Sequence, residues 1–473
     1  MSTPAEPLAD EAAILAALRE ALGEAAVATD ADTCAAYGLD RSTRWQADPL
    51  CVLRPQSVAQ VQSIVRLARR LRFAIVPSGG RTGLAGGAVA ARREVLLSLE
   101  RMRKLHPVDR VERCIRVEAG AAIGQVQQAA AEAGLYYPVD WAAAGSAQVG
   151  GSLATNAGGV HVIRYGMTRD WVRGLRVVTG HGELIDCQRD LIKNNSGYDL
   201  RHLMIGSEGT LGIIVEATLA LTAPPQDPGV ALLALPDLPA ALQVYERARE
   251  GLPLSACEFF TASALARVQQ RMQLPPPFAE AAPAYLLLEW TQAEAHTDAA
   301  EALFADCFEA GTAVDGALAQ SGAQAQALWR YREDISEALA PEAPYKNDVS
   351  VRAARLPEFV ARIEQDLAAD FPALELVCFG HLGDGNLHLN LLPRAALAPQ
   401  DWAAQSAQAG ALVARRLEDY AGSVSAEHGI GLLKREQLGH SRSAHEVELM
   451  RGIKAAFDPD QVLNPGKIFP VAD

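Results

Sequence analysis

Two histidines and an adjacent Glu-His pair are the residues of this sequence most suited to chemistry. His381 and His388 lie in the segment CFGHLGDGNLHLN, and Glu427 and His428 follow about forty residues later in SAEHGIG. The Asp-Gly pair between the histidines predicts a tight turn, so a hairpin would bring both imidazoles close together on paired strands. Two imidazoles and a carboxylate with open positions suit a divalent metal, most naturally zinc, with manganese and iron as alternatives. One histidine alone would more often be an ordinary core or surface residue.

A second group of polar residues has the composition of a carboxylate-binding clamp. Arg332 and Ser336 are four residues apart, so one helical face can present both side chains. Lys346 begins a predicted strand shortly afterwards. A guanidinium, a hydroxyl and an ammonium bind a carboxylate well because arginine donates to both oxygens. The alternative is a solvated helix face whose arginine forms ordinary salt bridges to Glu333 or Glu337.

Three glycine-rich segments predict a binding site for a large flat ligand. The loop Pro77–Gly87 holds five glycines in eleven residues, which lets backbone N–H groups converge on a phosphate. Gly145–Gly159 is rich in small residues, and Ile205–Ile214 carries glycines at 206, 209 and 212 before a β-branched run. One such loop would usually be a flexible surface loop, whereas three in order favour a cofactor site. A Rossmann site is disfavoured because the sequence lacks G-x-G-x-x-G.

Short elements precede and position the first glycine loop. Residues 9–23 predict an amphipathic helix whose apolar face carries Ile14, Leu15, Leu18 and Leu22. Ser57 and Gln60 form a capping-box pattern at the start of a second helix. A short apolar strand, Phe73–Val76, then leads into the loop.

The remaining chain alternates strands, helices and turns. Leu175–Thr179 and Glu183–Ile185 predict a hairpin, and the proline-rich stretch Thr222–Gly229 predicts a domain boundary. Beyond it an α+β layout is expected, with strands Val230–Leu235 and Ala284–Trp290 and helices Leu238–Arg249 and His296–Ala310. The C-terminal stretch Asp458–Lys467 is expected to be non-helical.

Bulk composition limits the classes of protein to which the chain can belong. Its 473 residues predict two or three domains, and a net charge of −14 argues against nucleic-acid or anionic-membrane partners. Seven scattered cysteines without a CxxC pair fit reduced thiols and offer no iron–sulfur motif. Because signal-peptide and membrane-spanning patterns are also absent, we expect a soluble cytoplasmic protein.

Together these motifs resemble the FAD-binding fold of the vanillyl-alcohol oxidase or PCMH type. The resemblance is closer to the branch with D-lactate dehydrogenases, glycolate oxidase flavoprotein subunits and D-2-hydroxyglutarate dehydrogenases, and it runs from about residue 45 to the C-terminus. It implies an α+β fold in four parts: an N-terminal helical segment (1–44), an FAD-binding domain (45–224), a substrate-binding α+β cap domain (225–455) and a C-terminal segment that returns to the flavin (456–473).

The resemblance also implies the residues that hold FAD. Non-covalent FAD is expected because residues 76–89 contain neither histidine nor cysteine. The implied cofactor-binding residues are Pro77, Ser78, Gly79, Gly80, Arg81, Thr82, Gly83, Gly86, Gly87, Gly145, Ser146, Gly150, Gly151, Ala154, Thr155, Asn156, Gly158, Gly159, Glu208, Gly209, Gly212, Ile213, Ile214 and Asn464.

For the substrate site, the resemblance implies a role for each polar residue. His381, His388 and Glu427 would bind the metal, and His428 would be the general base and also contact substrate. Asn390 would help to hold the substrate, and Arg332, Ser336 and Lys346 would bind its distal carboxylate. This chain departs from the family pattern in two ways: serine replaces threonine at 336, and the interval to Lys346 is one residue shorter.

The function expected from this pattern is FAD-dependent oxidation of D-2-hydroxyglutarate to 2-oxoglutarate. The alternatives are a D-lactate or glycolate dehydrogenase of the same family, and an FAD-bearing electron-relay subunit of a larger complex. An intact Glu-His pair argues against the relay because a relay needs no substrate base. The expected partners are a 2-hydroxy acid, a separate electron acceptor (an electron-transfer flavoprotein or a quinone) and a second copy in a homodimer.

Overall fold

The computed structural model describes residues 10–42, 44–141, 143–226, 228–291 and 293–470. Parts of three predicted segments fall outside this range: residues 1–9 and Thr43 of the N-terminal segment, Asp227 of the boundary stretch, and residues 471–473. Within the described residues, no helix is long and apolar enough to span a membrane.

The helices and strands follow one another along the whole chain. The helices are α1 (Glu11–Leu22), α2 (Ala31–Tyr37), α3 (Val58–Leu71), α4 (Ile123–Glu132), α5 (Val149–Thr155), α6 (Val162–Tyr165), α7 (Leu200–Met204), α8 (Leu238–Gly251), α9 (Ala262–Met272), α10 (Glu294–Glu309), α11 (Gly322–Glu333), α12 (Ile335–Leu339), α13 (Leu356–Asp370), α14 (Pro399–Arg416) and α15 (Ala444–Phe457). The strands are β1 (Val27–Ala28), β2 (Cys51–Leu53), β3 (Ile75–Ser78), β4 (Val95–Ser98), β5 (Cys114–Glu118), β6 (Val172–Thr179), β7 (Leu184–Asp186), β8 (Gly212–Ala220), β9 (Pro228–Leu235), β10 (Leu254–Thr261), β11 (Ala284–Thr291), β12 (Asp315–Leu318), β13 (Tyr345–Ser350), β14 (Leu374–His381) and β15 (Asn386–Pro393).

The chain forms two compact units whose boundaries differ in part from the predicted ones. The first unit comprises Met1–Gly159, Gly166–Pro224 and Glu427–Asp473, and the second comprises Val160–Tyr165 and Pro225–Ala426. Residues 427–455, expected in the substrate-binding domain, therefore belong to the first unit. Their backbone explains this placement, because the N–H groups of Leu432 and Leu433 donate to the carbonyl oxygen of Ala85 in the first glycine loop.

The first unit contains two four-stranded sheets over one large apolar core. In one sheet, β2 and β3 each pair in parallel with β4, and β1 adds an antiparallel edge. In the other, the order β5-β8-β6-β7 is antiparallel throughout, which confirms the predicted hairpin of β6 and β7. The predicted opening helix is confirmed as α1, which buries Ile14, Leu18 and Leu22.

Helix α3 supplies the crossover from β2 to β3 and sets where the first glycine loop begins. Ser57 caps it as predicted, but Gln60 accepts a hydrogen bond from the Gln56 N–H rather than closing a capping box. Arg72 ends the helix in the left-handed conformation, and the Phe73 N–H bonds back to the Ala68 carbonyl. Phe73 therefore belongs to the helix terminus, and the strand predicted at Phe73–Val76 lies two residues later.

The second unit is built on one antiparallel sheet of seven strands in the order β12-β9-β11-β10-β14-β15-β13. The strands and helices predicted beyond the proline-rich stretch are confirmed as β9, β11, α8 and α10, with small shifts at their ends. Strands β9, β10 and β11 are almost wholly buried, as expected for the centre of a sheet covered on both faces. All seven cysteines of the protein are free, as predicted.

Candidate functional site

The predicted cofactor loops line a single cleft in the first unit. Glu427 and His428 also line it, with the carboxylate of Asp40. The predicted cofactor residues in its wall are Pro77, Ser78, Gly79, Gly80, Arg81, Thr82, Gly83, Gly87, Gly150, Gly151, Ala154, Thr155, Gly158, Glu208, Gly209, Gly212, Ile213 and Ile214.

Glycines in this wall serve two different purposes. A Cβ on Gly80 would collide with the carbonyl oxygen of Ser146, so Gly80 is required for the first two loops to pack together. A Cβ on Gly151 would meet no atom within 4 Å among the described residues. Because Gly151 lies in helix α5 and lines the cleft, its missing side chain leaves room for a ligand rather than for the protein.

Two buried polar atoms in the cleft wall indicate that a polar ligand fits there. Ser78 Oγ and Gln148 Oε1 are buried, and neither has a hydrogen-bond partner among the residues that the structure describes. A buried polar atom without a partner is costly. A ligand with hydroxyl and phosphate groups, such as FAD, would satisfy both atoms.

Four predicted cofactor residues have strained backbone. Arg81, Asn156, Glu208 and Asn464 have φ values of 58°, 49°, 52° and 45°, in the left-handed region that side chains other than glycine adopt at a cost. Such strain concentrates at ligand-binding sites. The Asn464 side-chain amide fixes two of the loops, since it donates to the carbonyl oxygens of Gly87 at 2.9 Å and Glu208 at 2.7 Å.

Six predicted cofactor residues do not line the cleft. They support its wall from behind: Gly86, for example, leaves room for the Trp45 ring, and Asn156 Oδ1 accepts a hydrogen bond from the Arg169 N–H. The six residues are Gly86, Gly145, Ser146, Asn156, Gly159 and Asn464.

Glu208 positions the loop that carries His428. Its two carboxylate oxygens accept hydrogen bonds from the N–H groups of Ile430 at 2.8 Å and Gly431 at 2.7 Å. Burial raises the pKa of Glu208, and these two donors oppose that rise. Gly431 has φ of 50° and approaches Ala85 too closely for a Cβ. His428 therefore lies on a loop that is fixed at its base.

Asp40 is a part of the cleft that sequence reasoning missed. One carboxylate oxygen accepts from the Gly86 N–H at 2.8 Å, and the other accepts from the Ser42 N–H at 2.8 Å. Burial raises the pKa of Asp40 while these hydrogen bonds oppose the rise. Asp40 lies in the segment 1–44, where no motif marked it, so only the fold reveals its contact with the glycine loop.

In the second unit, one face of the sheet collects the predicted histidines. The turn at Asp384-Gly385 joins β14 to β15, with the Asn386 N–H donating to Asp384 Oδ1 at 3.0 Å and Gly385 at φ of 81°. Residues that face each other across antiparallel strands share a face. One row of this face therefore holds Glu258, His381, Asn386 and Ser350, the next holds Phe379, His388 and Asp348, and the third holds Asn390 and Lys346.

The two imidazoles are arranged as metal ligands would be. Their Nε2 atoms lie 3.4 Å apart. His381 Nδ1 lies 2.8 Å from Glu258 Oε1, and His388 Nδ1 lies 3.6 Å from Asp348 Oδ1. If each Nδ1 carries the proton that faces its carboxylate, both Nε2 lone pairs point toward one another, an arrangement that a cation would stabilise. The donor set therefore fits a divalent metal.

The predicted carboxylate clamp is only partly assembled on this unit. Arg332 is 6% exposed. Its guanidinium lies 2.8 Å from Glu258 Oε2 and 4.8 Å from the centre of the Phe379 ring. Its Nε is buried without a hydrogen-bond partner in the described part of the chain. Ser336 and Lys346 are exposed. Arg332 and Ser336 also lie on consecutive helices, α11 and α12, rather than on one helix.

Asn390 is buried opposite Lys346, and its side-chain amide donates to the His388 carbonyl at 3.2 Å. The sequence analysis missed Glu258 and Asp348. A weak signal for Glu258 exists, because it is the one charged residue in the strand LSACEFFT. Asp348 could have been found from strand alternation, which puts it on the same face as Lys346.

Two family models match the chain. The model described as FAD binding domain matches residues 49–188, and the model described as FAD linked oxidases, C-terminal domain matches residues 224–468. The chain is thus an FAD-linked oxidoreductase.

Curated relatives cover nearly the whole chain. A D-2-hydroxyglutarate dehydrogenase of Xanthomonas citri pv. viticola is 52% identical over 92% of this chain and 93% of its own length. A D-2-hydroxyglutarate dehydrogenase of Stutzerimonas stutzeri is 46% identical over 94% of this chain and 96% of its own length. A mitochondrial protein of Schizosaccharomyces pombe, provisionally named a D-lactate dehydrogenase, is 33% identical over 93% of this chain and 85% of its own length.

Solved structures confirm the predicted fold class. p-Cresol methylhydroxylase superimposes with a TM-score of 0.76 at 15% identity, covering 98% of this chain and 97% of its own. The 4-ethylphenol oxidase of Gulosibacter chungangensis gives 0.75 at 18% identity, covering 99% of both chains. At such identities the likeness shows the fold alone, which is the predicted α+β fold of the vanillyl-alcohol oxidase or PCMH type.

Proposed function

This chain belongs to the D-2-hydroxyglutarate dehydrogenase family of FAD-linked oxidases, and from that premise we propose that it oxidises D-2-hydroxyglutarate to 2-oxoglutarate. The observation that carries the proposal is the sheet face of the second unit. There a buried arginine and one of two facing imidazoles, that of His381, contact the same carboxylate, Glu258. A dicarboxylic 2-hydroxy acid needs both a cation for its distal carboxylate and a site for its hydroxyl end.

Arg332 is the main group for the distal carboxylate. Its buried Nε lacks a protein hydrogen-bond partner among the described residues, so a substrate oxygen would satisfy a donor that is otherwise left unpaired. The planar guanidinium is held over the Phe379 ring and by Glu258, which limits the freedom that binding would have to remove. Ser336, Lys346 and Asn390 would contribute further polar contacts to the bound acid.

The hydroxyl end would bind at His381 and His388. We propose that Glu427 is the third ligand of a divalent metal there, with zinc as the first choice; it follows the last residue of the second unit by one peptide bond. When bound, such a metal would supply Lewis acidity that lowers the pKa of the substrate hydroxyl. The facing Nε2 atoms, 3.4 Å apart, support a cation at the two histidines, because with both rings neutral and protonated at Nδ1 their lone pairs would point toward one another.

His428 is the proposed general base. It lines the cofactor cleft, and its loop is held by Glu208. A neutral imidazole can accept the hydroxyl proton near neutral pH. FAD, bound without a covalent link in the cleft, supplies the acceptor for the hydride. Turnover also requires a separate oxidant, for which we propose an electron-transfer flavoprotein or a quinone, and we propose that the chain acts as a homodimer in the cytoplasm.

A second candidate substrate class is a short 2-hydroxy acid such as D-lactate or glycolate. The exposure of Ser336 and Lys346 favours it, because these two groups contribute less to a clamp when they face solvent. The relative from Schizosaccharomyces pombe bears a lactate dehydrogenase name. In this candidate Arg332 would serve packing and the orientation of Glu258 only.

Anaerobic reduction of the flavin-loaded protein distinguishes the candidates. The protein is mixed without oxygen with D-2-hydroxyglutarate, L-2-hydroxyglutarate, D-malate, D-lactate or glycolate, and the loss of flavin absorbance is followed. Fastest bleaching by D-2-hydroxyglutarate would support the proposal. Fastest bleaching by lactate or glycolate would replace the substrate, and bleaching by none of the five acids would remove this reaction class.

A further inference from the structure

We propose that Glu258 is a positioning residue that couples the substrate clamp to the metal site, by orienting His381 with one carboxylate oxygen and Arg332 with the other. The inference rests on the proposed function, since it assigns to Glu258 a part in holding that metal and that substrate. Neither the sequence motifs nor the family resemblance assigns a role to this residue.

Glu258 is a fully buried carboxylate on an internal strand, a position where a charged group needs compensating partners. It is 0% exposed and lies on β10, opposite His381 in the strand register. Its neighbours along the strand are apolar and buried. An isolated buried carboxylate is costly, and it is retained where partners compensate its charge. Here the partners are His381 Nδ1 at 2.8 Å and the Arg332 guanidinium at 2.8 Å.

The contact with His381 determines which ring nitrogen is available. A carboxylate accepts hydrogen bonds, so His381 Nδ1 carries a proton toward Glu258, and in the neutral imidazole Nε2 then keeps its lone pair. The same contact fixes the ring plane, which stands at 81° to the ring of His388. Such outer carboxylates orient metal-binding histidines and raise their basicity. Glu258 therefore prepares Nε2 of His381 for a cation.

The contact with Arg332 gives the same carboxylate a second role, since it holds the arginine of the proposed carboxylate clamp in place. Glu258 Oε2 holds the guanidinium against the Phe379 ring, while Nε of Arg332 finds no hydrogen-bond partner among the residues that the structure describes. One oxygen of Glu258 thus pairs with His381 by a hydrogen bond, and the other pairs with Arg332 as an ion pair. Any change at Arg332 therefore alters the charge and position of the group that holds His381, and coupling of this kind acts in both directions.

Glutamine at this position separates the two tasks. Its amide has the shape of the carboxylate but only one acceptor oxygen, so it can satisfy His381 or Arg332 and not both.

A matched control is present on the next strand. Glu289 on β11 is also buried and also binds a histidine, with His161 Nε2 at 2.9 Å and the Trp329 indole N–H at 2.8 Å, but it has no part in the proposed site.

The test is a zinc-binding measurement on flavin-loaded protein, by competition with a chromophoric chelator, so that it does not depend on turnover. Glu258→Gln should weaken zinc binding about 10- to 100-fold, whereas Glu289→Gln should leave it unchanged. In a double-mutant cycle, the effect of Arg332→Gln on the zinc dissociation constant should differ by at least about threefold between the wild-type and Glu258→Gln backgrounds.

Each outcome has one meaning. Wild-type zinc affinity in Glu258→Gln, additive effects in the cycle, or an equal loss in Glu289→Gln would overturn the positioning role and leave the proposed function standing. Absence of zinc binding by the wild-type protein would instead remove the metal from the proposed function, and this inference with it. If Glu258→Gln fails to fold, Glu258→Asp, which keeps the charge but shortens its reach, takes its place with the same expected loss.

Discussion

The cofactor cleft of the first unit and the histidine face of the second unit are built in opposite ways. The cleft is made mainly of glycine-rich loops and the short helix α5, and absent side chains together with strained backbone at Arg81 and Glu208 shape its wall. The histidine face is made of regular strands, in which the register of β10, β14, β15 and β13 decides which side chains meet. Backbone recognition therefore depends on glycine positions, and side-chain recognition depends on strand alternation. Substitutions of glycines in the cleft should therefore alter FAD binding or packing, whereas substitutions on the histidine face should alter substrate or metal binding.

The largest effect is expected at His428, the proposed general base, which lines the cofactor cleft. His428→Ala should slow anaerobic flavin reduction by D-2-hydroxyglutarate about 10²- to 10⁴-fold, because a positioned general base contributes that much. The variant should keep its FAD, since the cleft is held by backbone contacts. Rapid-mixing absorbance measurements give the rate, and the flavin-to-protein absorbance ratio gives the FAD content.

His445→Ala is the matched control for this substitution. His445 lies in α15 of the same unit, and its side chain is 79% exposed. Reduction at the wild-type rate is expected there. Fast reduction in His428→Ala would remove His428 as the base, and loss of FAD from it would show a structural role instead.

The next effect concerns Lys467, which lies buried in the C-terminal segment and donates to the Val89 carbonyl at 2.9 Å. Burial lowers the pKa of Lys467 to about 8, from an ordinary value of 10.5. Its charge therefore costs stability at pH 7, by about 3 kcal/mol, and the cost disappears as the pH rises from about 8 to 10.5. Lys467→Met removes the charge, so its stability relative to the wild type should fall across that range.

Urea unfolding of both proteins at several pH values measures this difference. The slope with pH is the test, because the unpaired Val89 carbonyl in the variant adds a cost of about 1–3 kcal/mol that does not depend on pH. Lys193→Met, at an exposed position, should show no such slope. If the difference in unfolding free energy between Lys467→Met and wild type stayed constant from pH 7 to 10.5, Lys467 would not have a lowered pKa in the folded protein.

Arg332→Ala should affect one substrate more than another, which makes it the specificity test of the histidine face. Loss of a charge-assisted contact costs about 1.5–3 kcal/mol, so the KM for D-2-hydroxyglutarate should rise about 10- to 100-fold. The KM for D-lactate, which lacks the distal carboxylate, should change much less. Steady-state kinetics with an artificial acceptor measure both, and equal changes would place Arg332 outside the clamp.

The smallest effect separates glycines that pack the protein from glycines that admit the ligand. Gly151→Ala should weaken FAD binding about tenfold, about 1.4 kcal/mol, while the apoprotein gains up to about 1 kcal/mol because alanine favours helix α5. Gly80→Ala should cost the apoprotein about 1–3 kcal/mol by overpacking against Ser146. Flavin fluorescence titration and urea unfolding give the two quantities. If Gly151→Ala destabilised the apoprotein as Gly80→Ala does, the distinction would fail.

Much of the fold could be predicted from the sequence because its signals are local. The hairpin turn at Asp384-Gly385, the cap at Ser57 and the apolar strands of the second unit are all set by neighbours within a few residues. The strand after α3 was predicted two residues too early, because Arg72 ends the helix in the left-handed conformation. Glycine is the usual sequence signal for such a terminus, and here the position is arginine.

The site residues that were missed depend on contacts distant in sequence. Glu258 meets His381 across 123 residues, and Asp40 meets Gly86 across 46, and neither separation leaves a motif. The assignment of residues 427–455 to the first unit also depends on such a contact, because Glu208 holds the Ile430-Gly431 backbone in that unit.

The central claim is that the histidine face and the cofactor cleft serve one reaction. The most direct test strips the purified protein of divalent metal with a chelator, confirms that FAD is retained, and measures anaerobic flavin reduction by D-2-hydroxyglutarate before and after zinc is added. Reduction should be lost in the stripped protein and restored by stoichiometric zinc. Reduction at the full rate in the metal-free protein would contradict the central claim.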